Sequence, residues 1–248
     1  MKYVFYFLLI TTFTANAQID TILQLGDDAI SIGIDENNYH IIESEVKRMI
    51  TNGAAKRVSL LTVNSNIDSL PFFIFEFTEI KELHINSTGI ISLEESFNKF
   101  RHLVQLRINS PLCSISDKII LDSIENLHIV KYSSMIFPKV ICSWKQLREV
   151  DIQGSLFTRI PKEIDNLQNL LVINFSDNKL NQLPDEIGEL KHLEVLSIGD
   201  NDLKTLPNSI CRLTKLRELY ILNNPKLKIT ETQRECIKSL PVFKTLFE

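Results

Sequence analysis

A phrase in the sequence recurs at a fixed interval. Residues 177–187 read DNKLNQLPDEI, and residues 200–210, which begin 23 positions later, read DNDLKTLPNSI. Both copies keep an Asp-Asn pair, a leucine, a Leu-Pro pair and an isoleucine, while the residues between these positions change. Such a period constrains the fold more than any local pattern does, because repeated units of this size fold by stacking on each other.

Alignment of the chain on itself extends the repeat in both directions. Units begin at Ile80, Leu103, Ile124, Leu147, Leu170, Leu193 and Leu216, and a less regular unit begins near Val58. From Ile80 onward the spacing is 23 residues, except that the unit beginning at Leu103 is two residues short. One unit alone buries too few apolar side chains to offset the conformational entropy lost on folding, so we expect about eight units to stack into a solenoid.

Within a unit, the periodicity of apolar residues changes. Along residues 171–175, successive side chains point to opposite faces, with apolar residues on the inward face, which is the period of a β-strand. Ile187, Leu190 and Leu193 instead follow a helical step. Each unit is therefore predicted to contain a strand, a turn and a short helical return. Pro161 and its two equivalents suit the first turn of that return, where the missing N–H costs little.

The complete unit resembles a known family. Written out, its repeated positions are Leu170, Ile173, Phe175, Asn178, Leu180, Leu183-Pro184, Ile187 and Leu190. This pattern resembles the leucine-rich repeat family, in the 23-residue LPxxIxxL form of Ras-group and Scribble-like repeats, over about residues 58–229. The resemblance implies an α/β solenoid with a curved parallel sheet on the concave side and short helices or 3₁₀ segments on the convex side. Members of the family commonly bind proteins on the concave side.

The N-terminus carries a separate signal. Residues 1–17, MKYVFYFLLITTFTANA, combine a lysine, an apolar core and an Ala-x-Ala ending, which together predict a secretory signal peptide cleaved near Ala17. A buried N-terminal strand is the alternative interpretation. We expect an exported, bacterial protein, and the sequence leaves open whether it stays in the periplasm or reaches the cell exterior. No later segment has the roughly eighteen consecutive apolar residues that a membrane span needs.

Composition argues against a nucleic-acid partner and against a fold built on disulfides. The chain of 248 residues has a formal net charge of −4 at pH 7, so it lacks the basic excess that nucleic-acid phosphates require. Its four cysteines are too few for a disulfide-built fold. Cys211 and Cys236 are the best candidate pair, because they would lie about one repeat apart, and free buried thiols are the alternative.

Both ends of a solenoid need a cap over the exposed apolar cross-section. We assign residues 18–57 to an N-terminal cap that contains a helix over 41–50, with Ile42, Val46, Met49 and Ile50 on one face. Residues 230–248 form the predicted C-terminal cap, and the apolar residues that would close it are Cys236, Ile237, Leu240, Val242, Phe243 and Leu246. A tail that binds a partner is the alternative for this segment.

Two irregularities interrupt the pattern. Pro111 occupies the usual asparagine position in the short unit that begins at Leu103, which indicates either repeat decay or a local change of curvature. Residues 70–77, LPFFIFEF, contain more aromatic residues than one unit can bury. We expect Phe72, Phe73 and Phe75 on the outer side to pack against the N-terminal cap, and an exposed cluster would instead mark a protein contact.

Three asparagines recur where the chain leaves the strand, namely Asn178, Asn201 and Asn224. An amide side chain at a buried turn can both donate to and accept from neighbouring backbone groups. We therefore interpret these residues as structural and not as contacts to a ligand.

The outward positions of consecutive strands predict a polar face. Its middle row reads Thr62, His84, Arg107, His128, Asp151, Asn174, Ser197 and Tyr220. Together with the preceding row, it yields the candidate ligand-binding residues Glu82, His84, Gln105, Arg107, His128, Glu149, Asp151, Asn174 and Tyr220. We predict that a protein or glycan partner binds there through hydrogen bonds and charge pairs. A solvated face without a partner, and a self-associating structural protein, are the alternatives.

Catalysis, metal binding and a cofactor have little support. His128 and Asp151 could form a hydrogen bond, but no serine or cysteine lies next to them in these rows to act as a nucleophile. Arg107 separates His84 from His128 and would repel a cation. We predict a non-enzymatic protein with no metal, no cofactor and no nucleic-acid partner, and the sequence leaves its oligomeric state open.

Overall fold

The computed structural model describes residues 22–24, 28–35, 37–66 and 68–238. The predicted signal peptide lies outside these residues. So do residues 239–248, which include four of the six side chains expected to close the C-terminal cap.

The eleven strands of the described residues form one sheet. They are β1 (Ile22–Gln24), β2 (Ala29–Ile34), β3 (Leu60–Ser65), β4 (Glu82–Ser87), β5 (Ile91–Leu93), β6 (Gln105–Ile115), β7 (Asn126–Tyr132), β8 (Glu149–Gln153), β9 (Val172–Asn174), β10 (Val195–Ser197) and β11 (Glu218–Tyr220). From β2 onward, neighbours pair in parallel and in chain order, with β5 as a side partner of β6. Strand β1 pairs antiparallel with β2 at the edge. The predicted stacking of units in chain order is confirmed.

Helical segments connect the strands. Helix α1 (Tyr39–Thr51) follows β2, and helix α2 (Glu231–Lys238) follows β11. The 3₁₀ segments are Ala54–Arg57, Phe72–Glu76, Glu95–Lys99, Lys139–Ser143, Lys162–Asn166, Asp185–Glu189 and Asn208–Arg212. The repeated proline stands one residue before its 3₁₀ segment and not inside it, since Pro184 is extended at ψ 151°. Its carbonyl accepts the Ile187 N–H at 3.2 Å, so the proline closes the first turn from outside.

The side chains that the repeat retains are those that the solenoid buries. In the unit beginning at Leu170, the inward residues Leu170, Ile173, Phe175, Leu180, Ile187 and Leu190 are at most 1% exposed. Apolar area removed from water drives this stacking, so substitution is tolerated between these positions and not at them.

The N-terminal cap contributes a strand as well as the predicted helix. Ile30, Ile32 and Ile34 are buried and alternate with half-buried positions, so β2 continues the parallel sheet beside β3. In α1, Ile42 and Val46 are buried, whereas Ile50 is 40% exposed and does not belong to the packed face. A full helix thus covers this end of the core, where the inner units carry only 3₁₀ turns.

The aromatic cluster after Leu70 divides among three environments. Phe73 packs on Tyr39 of α1 with ring centroids 5.4 Å apart, so the expected contact with the cap is confirmed for this residue. Phe75 turns the other way and packs against Phe97 and Phe100 of the next unit. Phe72 is exposed. The helical step of the 3₁₀ segment therefore splits a cluster that we had expected on one side.

The short unit replaces the usual turn by continued strand. Strand β6 is eleven residues long and passes through Pro111, and its pairing with β7 shifts register after Asn109. The extension places Cys113 on the exposed side. Cys142 is buried, and this burial raises its pKa to about 12.

Each regular turn depends on two consecutive residues. The first has a left-handed backbone, with φ between 53° and 67°, and recurs every 23 residues as Lys131, Gly154, Asp177, Asp200 and Asn223. In the last three of these turns the second residue is the repeated asparagine. Asn178 is buried, and its Nδ2 donates to the carbonyls of Ile152, Phe175 and Ser176 at 2.8–3.1 Å. Asn201 and Asn224 make the equivalent contacts one and two units later.

The C-terminal end is held by a disulfide and a buried amide. Cys211 of the last 3₁₀ segment is bonded to Cys236 of α2, with the Cα atoms 5.5 Å apart. Gln233 is 2% exposed, and its Nε2 donates to the Leu206 carbonyl at 2.6 Å. Both contacts fix α2 against the final repeat.

Candidate functional site

The strand register brings the predicted middle row together. Across β2 to β11 the directly paired residues are Ser31, Thr62, His84, Arg107, His128, Asp151, Asn174, Ser197 and Tyr220. Neighbouring strands in a sheet lie about 4.8 Å apart, so these side chains form one continuous line. The cap strand adds Ser31 to the row derived from the repeat.

The ionisable side chains on this face concentrate on four strands, β4, β6, β7 and β8. They carry Glu82, His84, Arg107, His128, Glu149 and Asp151, with Gln105 and Asn126 between them. Beyond them the rows are neutral as far as Glu218 on β11. We call the residues Glu82, His84, Gln105, Arg107, His128, Glu149 and Asp151 the central face. The structure thus brings seven of the nine candidate residues together.

His128 is held by a network of hydrogen bonds. Its Nδ1 lies 2.9 Å from Oδ2 of Asp151, and Gln153 donates from Nε2 to the other carboxylate oxygen at 2.8 Å. The side chains of His128 and Asp151 are 24% and 14% exposed. Because both oxygens of Asp151 are engaged and the pair is partly buried, the imidazole has a fixed orientation on the face.

His84 sits in an environment that favours its neutral form. Its Nε2 lies 3.3 Å from the Gln105 amide nitrogen, which can only donate, so Nε2 accepts. Burial lowers the pKa of His84, and the charge of Arg107 lowers it further, while Glu82 acts in the opposite direction. A depressed pKa keeps this ring uncharged at neutral pH.

Arg107 is the central cation of the face. It lies between His84 and His128 in the register and is exposed. Within the described part of the chain its guanidinium has no hydrogen bond or ion pair, although three carboxylates lie on the same four strands. An arginine whose donors are not used internally can offer them, in a planar fork, to an external acceptor.

One feature of the face was missed at the sequence level. Asn64, Asn86 and Asn109 occupy equivalent positions on three strands, and each donates from Nδ2 at 2.9 Å to the preceding member, ending at Oγ of Ser31. The repeated asparagine at one outward position was the available signal. The resulting ladder fixes the polar surface beside the central face.

The two remaining candidate residues lie outside the central face. Asn174 is next to Asp151 in the register, but its Oδ1 accepts the backbone N–H of Ser176 at 3.1 Å. Tyr220 lies on β11, and its hydroxyl donates to Oε2 of Glu218 at 2.5 Å, a bond that raises the pKa of Tyr220. Local contacts therefore occupy both side chains.

In the part of the chain that the structure describes, no serine or cysteine lies next to His128 in the sheet register. Its nearest neighbours in the register are Arg107 and Asp151 on the adjacent strands and Asn126 and Val130 on its own strand. Among the described residues, no three His, Cys, Asp or Glu side chains come together in a way that could hold a metal ion. Over the same residues, no helix is long and apolar enough to cross a bilayer.

The coupling between Arg107 and His84 can be measured. Replacing Arg107 by glutamine is expected to raise the pKa of His84 toward its ordinary value, because one of the two causes that lower it is removed. The rise should be partial, since burial is the larger cause. Titration of the His84 ring signals by NMR would check this, with Arg101→Gln as the control, and an unchanged His84 titration would contradict the coupling.

Comparison with known proteins identifies the fold. Residues 161–246 match the family model described as a leucine-rich repeat region. A leucine-rich repeat protein of Leptospira interrogans superposes with a TM-score of 0.69 at 23% identity, over 86% of this chain and 53% of that one. An internalin of Listeria monocytogenes, inlF, superposes at 0.56 and 16% identity, over 76% of this chain and 61% of that one. The predicted leucine-rich repeat solenoid is confirmed.

A further structure with this fold was solved as a complex. The plant peptide hormone receptor RGFR1, in complex with RGF2, superposes with a TM-score of 0.57 at 17% identity, over 84% of this chain and 35% of that chain. The chain therefore spans about one third to three fifths of the length of these structures. No curated protein matches the sequence.

Proposed function

We propose that the chain is an exported, non-enzymatic module that binds a protein partner on the concave face of its leucine-rich repeat sheet, at the central face. The leucine-rich repeat fold is typical of protein-binding scaffolds. Within that fold, the central face is the part of the sheet that combines positive and negative side chains on neighbouring strands.

The observation that carries the proposal is the guanidinium of Arg107, which lies between two imidazoles and has no hydrogen bond or ion pair among the described residues. Arginine is enriched among the interface residues that contribute most to binding, particularly where the interface is central and desolvated. A carboxylate of a partner protein would accept from this guanidinium in bidentate geometry. The His128–Asp151 pair and the asparagine ladder on either side supply rigid polar contacts that set the orientation.

The other proteins with this fold support the choice of a protein partner. RGFR1 is a plant peptide hormone receptor whose structure was solved in complex with RGF2, and its fold is similar to that of this chain. In this chain a long row of side chains lies on consecutive strands, which suits an extended surface of a partner.

Export is supported by two independent features. The first seventeen residues have the three parts of a secretory signal peptide. The disulfide between Cys211 and Cys236 belongs to a class of bond that persists in oxidising compartments and is rare in the cytosol.

Loss of three side chains of the central face is expected to abolish partner capture. In the variant that combines Arg107→Ala, His128→Ala and Asp151→Ala, capture from the native surroundings should fall by about tenfold or more, as expected for the loss of a central hot spot. The measurement is a pull-down with the mature chain. The captured protein is then quantified and titrated against the unmodified chain, this variant and the control variant described next.

A matched control is available on the return segments. Glu79, Arg101 and His102 offer one acidic residue, one arginine and one histidine outside the sheet face, and His102 lies 3.9 Å from Glu79. Replacing these three residues by alanine should leave capture unchanged. Equal capture by the two triple variants would move the site away from the central face. Recovery of the chain itself as the captured protein would instead indicate a self-associating structural role.

A further inference from the structure

An exposed apolar patch lies beyond the C-terminal ends of β7 and β8, outside the central face. Met135, Ile136 and Leu156 are 66%, 77% and 43% exposed, and they are three of the eight large apolar side chains that are exposed in the described part of the chain. We call these three residues the rim patch. Exposed apolar side chains are common singly, whereas a group of them indicates an interaction surface.

The rim patch is built on a fixed base. Thr158 donates its backbone N–H to the Met135 carbonyl at 3.3 Å, which holds the loop after β7 against the loop after β8. Directly after Ile136 and Leu156 in the chain come Phe137 and Phe157, which are buried with ring centroids 5.4 Å apart. The exposed side chains therefore project from anchored backbone and not from a loose loop.

Basic side chains border the rim patch. Lys131 is the second-last residue of β7, Arg159 follows Thr158, and Lys179 donates its backbone N–H to the Phe157 carbonyl at 3.3 Å. All three are exposed, and within the described residues none of these side chains forms an ion pair or a hydrogen bond. Asp177 is the acidic neighbour, across Gly154 from Lys131. These border residues are three cations and one carboxylate, in a chain whose formal net charge is −4.

We propose that the rim patch docks a protein segment that presents an apolar side chain flanked by carboxylates. The apolar side chain would cover Ile136 and Leu156, while the carboxylates pair with the basic border. This surface is distinct from the central face and goes beyond the proposed function. It lies at the ends of β7 and β8, the strands that carry His128 and Asp151, so one partner can reach both surfaces.

A lipid surface fits the rim patch less well than a protein does. Peripheral membrane binding by apolar side chains depends on an extended amphipathic surface, usually with aromatic residues, and on attraction to anionic headgroups. The rim patch contains three side chains and no aromatic ring, and Asp177 lies beside its basic border. We therefore commit to a protein segment and treat lipid as an outcome of the test.

The test selects peptides directly. A random peptide library displayed on phage is selected on the mature chain, and the recovered clones are assayed as synthetic peptides. We expect clones with an aliphatic or aromatic residue next to Asp or Glu. The variant with Met135→Ser, Ile136→Ser and Leu156→Ser should weaken their binding by about tenfold or more, and so should Lys131→Gln with Arg159→Gln and Lys179→Gln.

Matched variants separate the outcomes. Replacing Ile90 and Ile120 by serine removes apolar side chains that are 57% and 61% exposed elsewhere, and should leave peptide binding unchanged. Clones that bind the serine variant of the rim patch as well as the unmodified chain would overturn the proposal. The proposal would also be overturned if no selected peptide depended on the rim patch while the rim patch was needed for sedimentation with phosphatidylglycerol vesicles or for dimerisation.

The same peptides distinguish binding at the rim patch from binding at the central face, on which the proposed function depends. Peptides that lose affinity only when Arg107, His128 and Asp151 are replaced would support the central face and overturn the rim patch. Peptides that depend on the rim patch alone would support this inference, whatever the capture experiment shows for the central face.

Discussion

Changing Asn201 to aspartate is expected to lower the free energy of unfolding by roughly 3–5 kcal/mol, the cost of leaving an uncompensated charge in a protein interior. The change is nearly isosteric, so packing stays the same. What changes is that an amide which both donates and accepts is replaced by a carboxylate which only accepts.

The surroundings of Asn201 explain the size of this effect. The residue is 5% exposed, and its Nδ2 donates to the carbonyls of Phe175, Ile198 and Gly199 at 2.9, 3.2 and 2.8 Å. Its Oδ1 accepts the Leu180 N–H at 2.9 Å. A carboxylate at this position would face three carbonyl oxygens and would no longer donate to any of them, although each also accepts a second hydrogen bond. The bonds with Phe175 and Leu180 join this unit to the previous one, so part of the loss falls on the interface between repeats.

Urea denaturation followed by circular dichroism would measure the change. Asn181→Asp is the matched control, since Asn181 lies in the adjacent loop, is half-buried and its side chain bonds no other described residue. The control should alter stability by about 0.5 kcal/mol or less, as for an ordinary surface substitution. Equal losses in the two variants would mean that the buried amide does not join the repeats.

Removing the disulfide between Cys211 and Cys236 is expected to cost about 3 kcal/mol, the typical contribution of a bond that closes a loop of this order of length. The two cysteines are 25 residues apart in sequence, and the bond joins the last 3₁₀ segment to α2. Helix α2 covers the final repeat through few buried side chains, with Gln233 and Ile237 as its buried residues. Without the covalent link, the helix should open before the rest of the solenoid unfolds.

Guanidinium denaturation of the variant with Cys211→Ala and Cys236→Ala would measure the loss. Dithiothreitol should produce a similar shift in the unmodified chain and none in the variant. Cys113→Ala is the control, because Cys113 is exposed and free. Unchanged stability of the double variant, or an equal loss in the control, would contradict the conclusion that this disulfide stabilises the C-terminal end.

Much of the fold and of the central face follows from the repeat. The 23-residue period assigns every inward and outward position once one strand is recognised, because side chains alternate strictly along a strand. For this reason the pairing of Arg107 with His84 and of His128 with Asp151 could be read from spacing alone, and the register agrees at both pairs.

The parts that escaped prediction involve contacts with no period. Strand β2 lies outside the recurring pattern, and its apolar residues, Ile30, Ile32 and Ile34, are buried because the sheet has an edge there to be covered. The exposure of Cys113 follows from the extension of β6 through Pro111, which no neighbouring unit repeats. The rim patch likewise joins side chains from two loops. Each of these side chains occurs in one unit and does not recur with the repeat.

The sequence by itself determined the solenoid, the order of its strands and the row of polar side chains, because a repeated apolar pattern has one way to bury itself against its own copies. Only the tertiary structure decided which of those side chains are occupied. Polar atoms of Asp151, Asn174 and Tyr220 form hydrogen bonds with neighbouring groups. The guanidinium of Arg107 forms none with the described residues. Such pairing depends on distances of a few ångströms between strands, which a one-dimensional pattern does not contain.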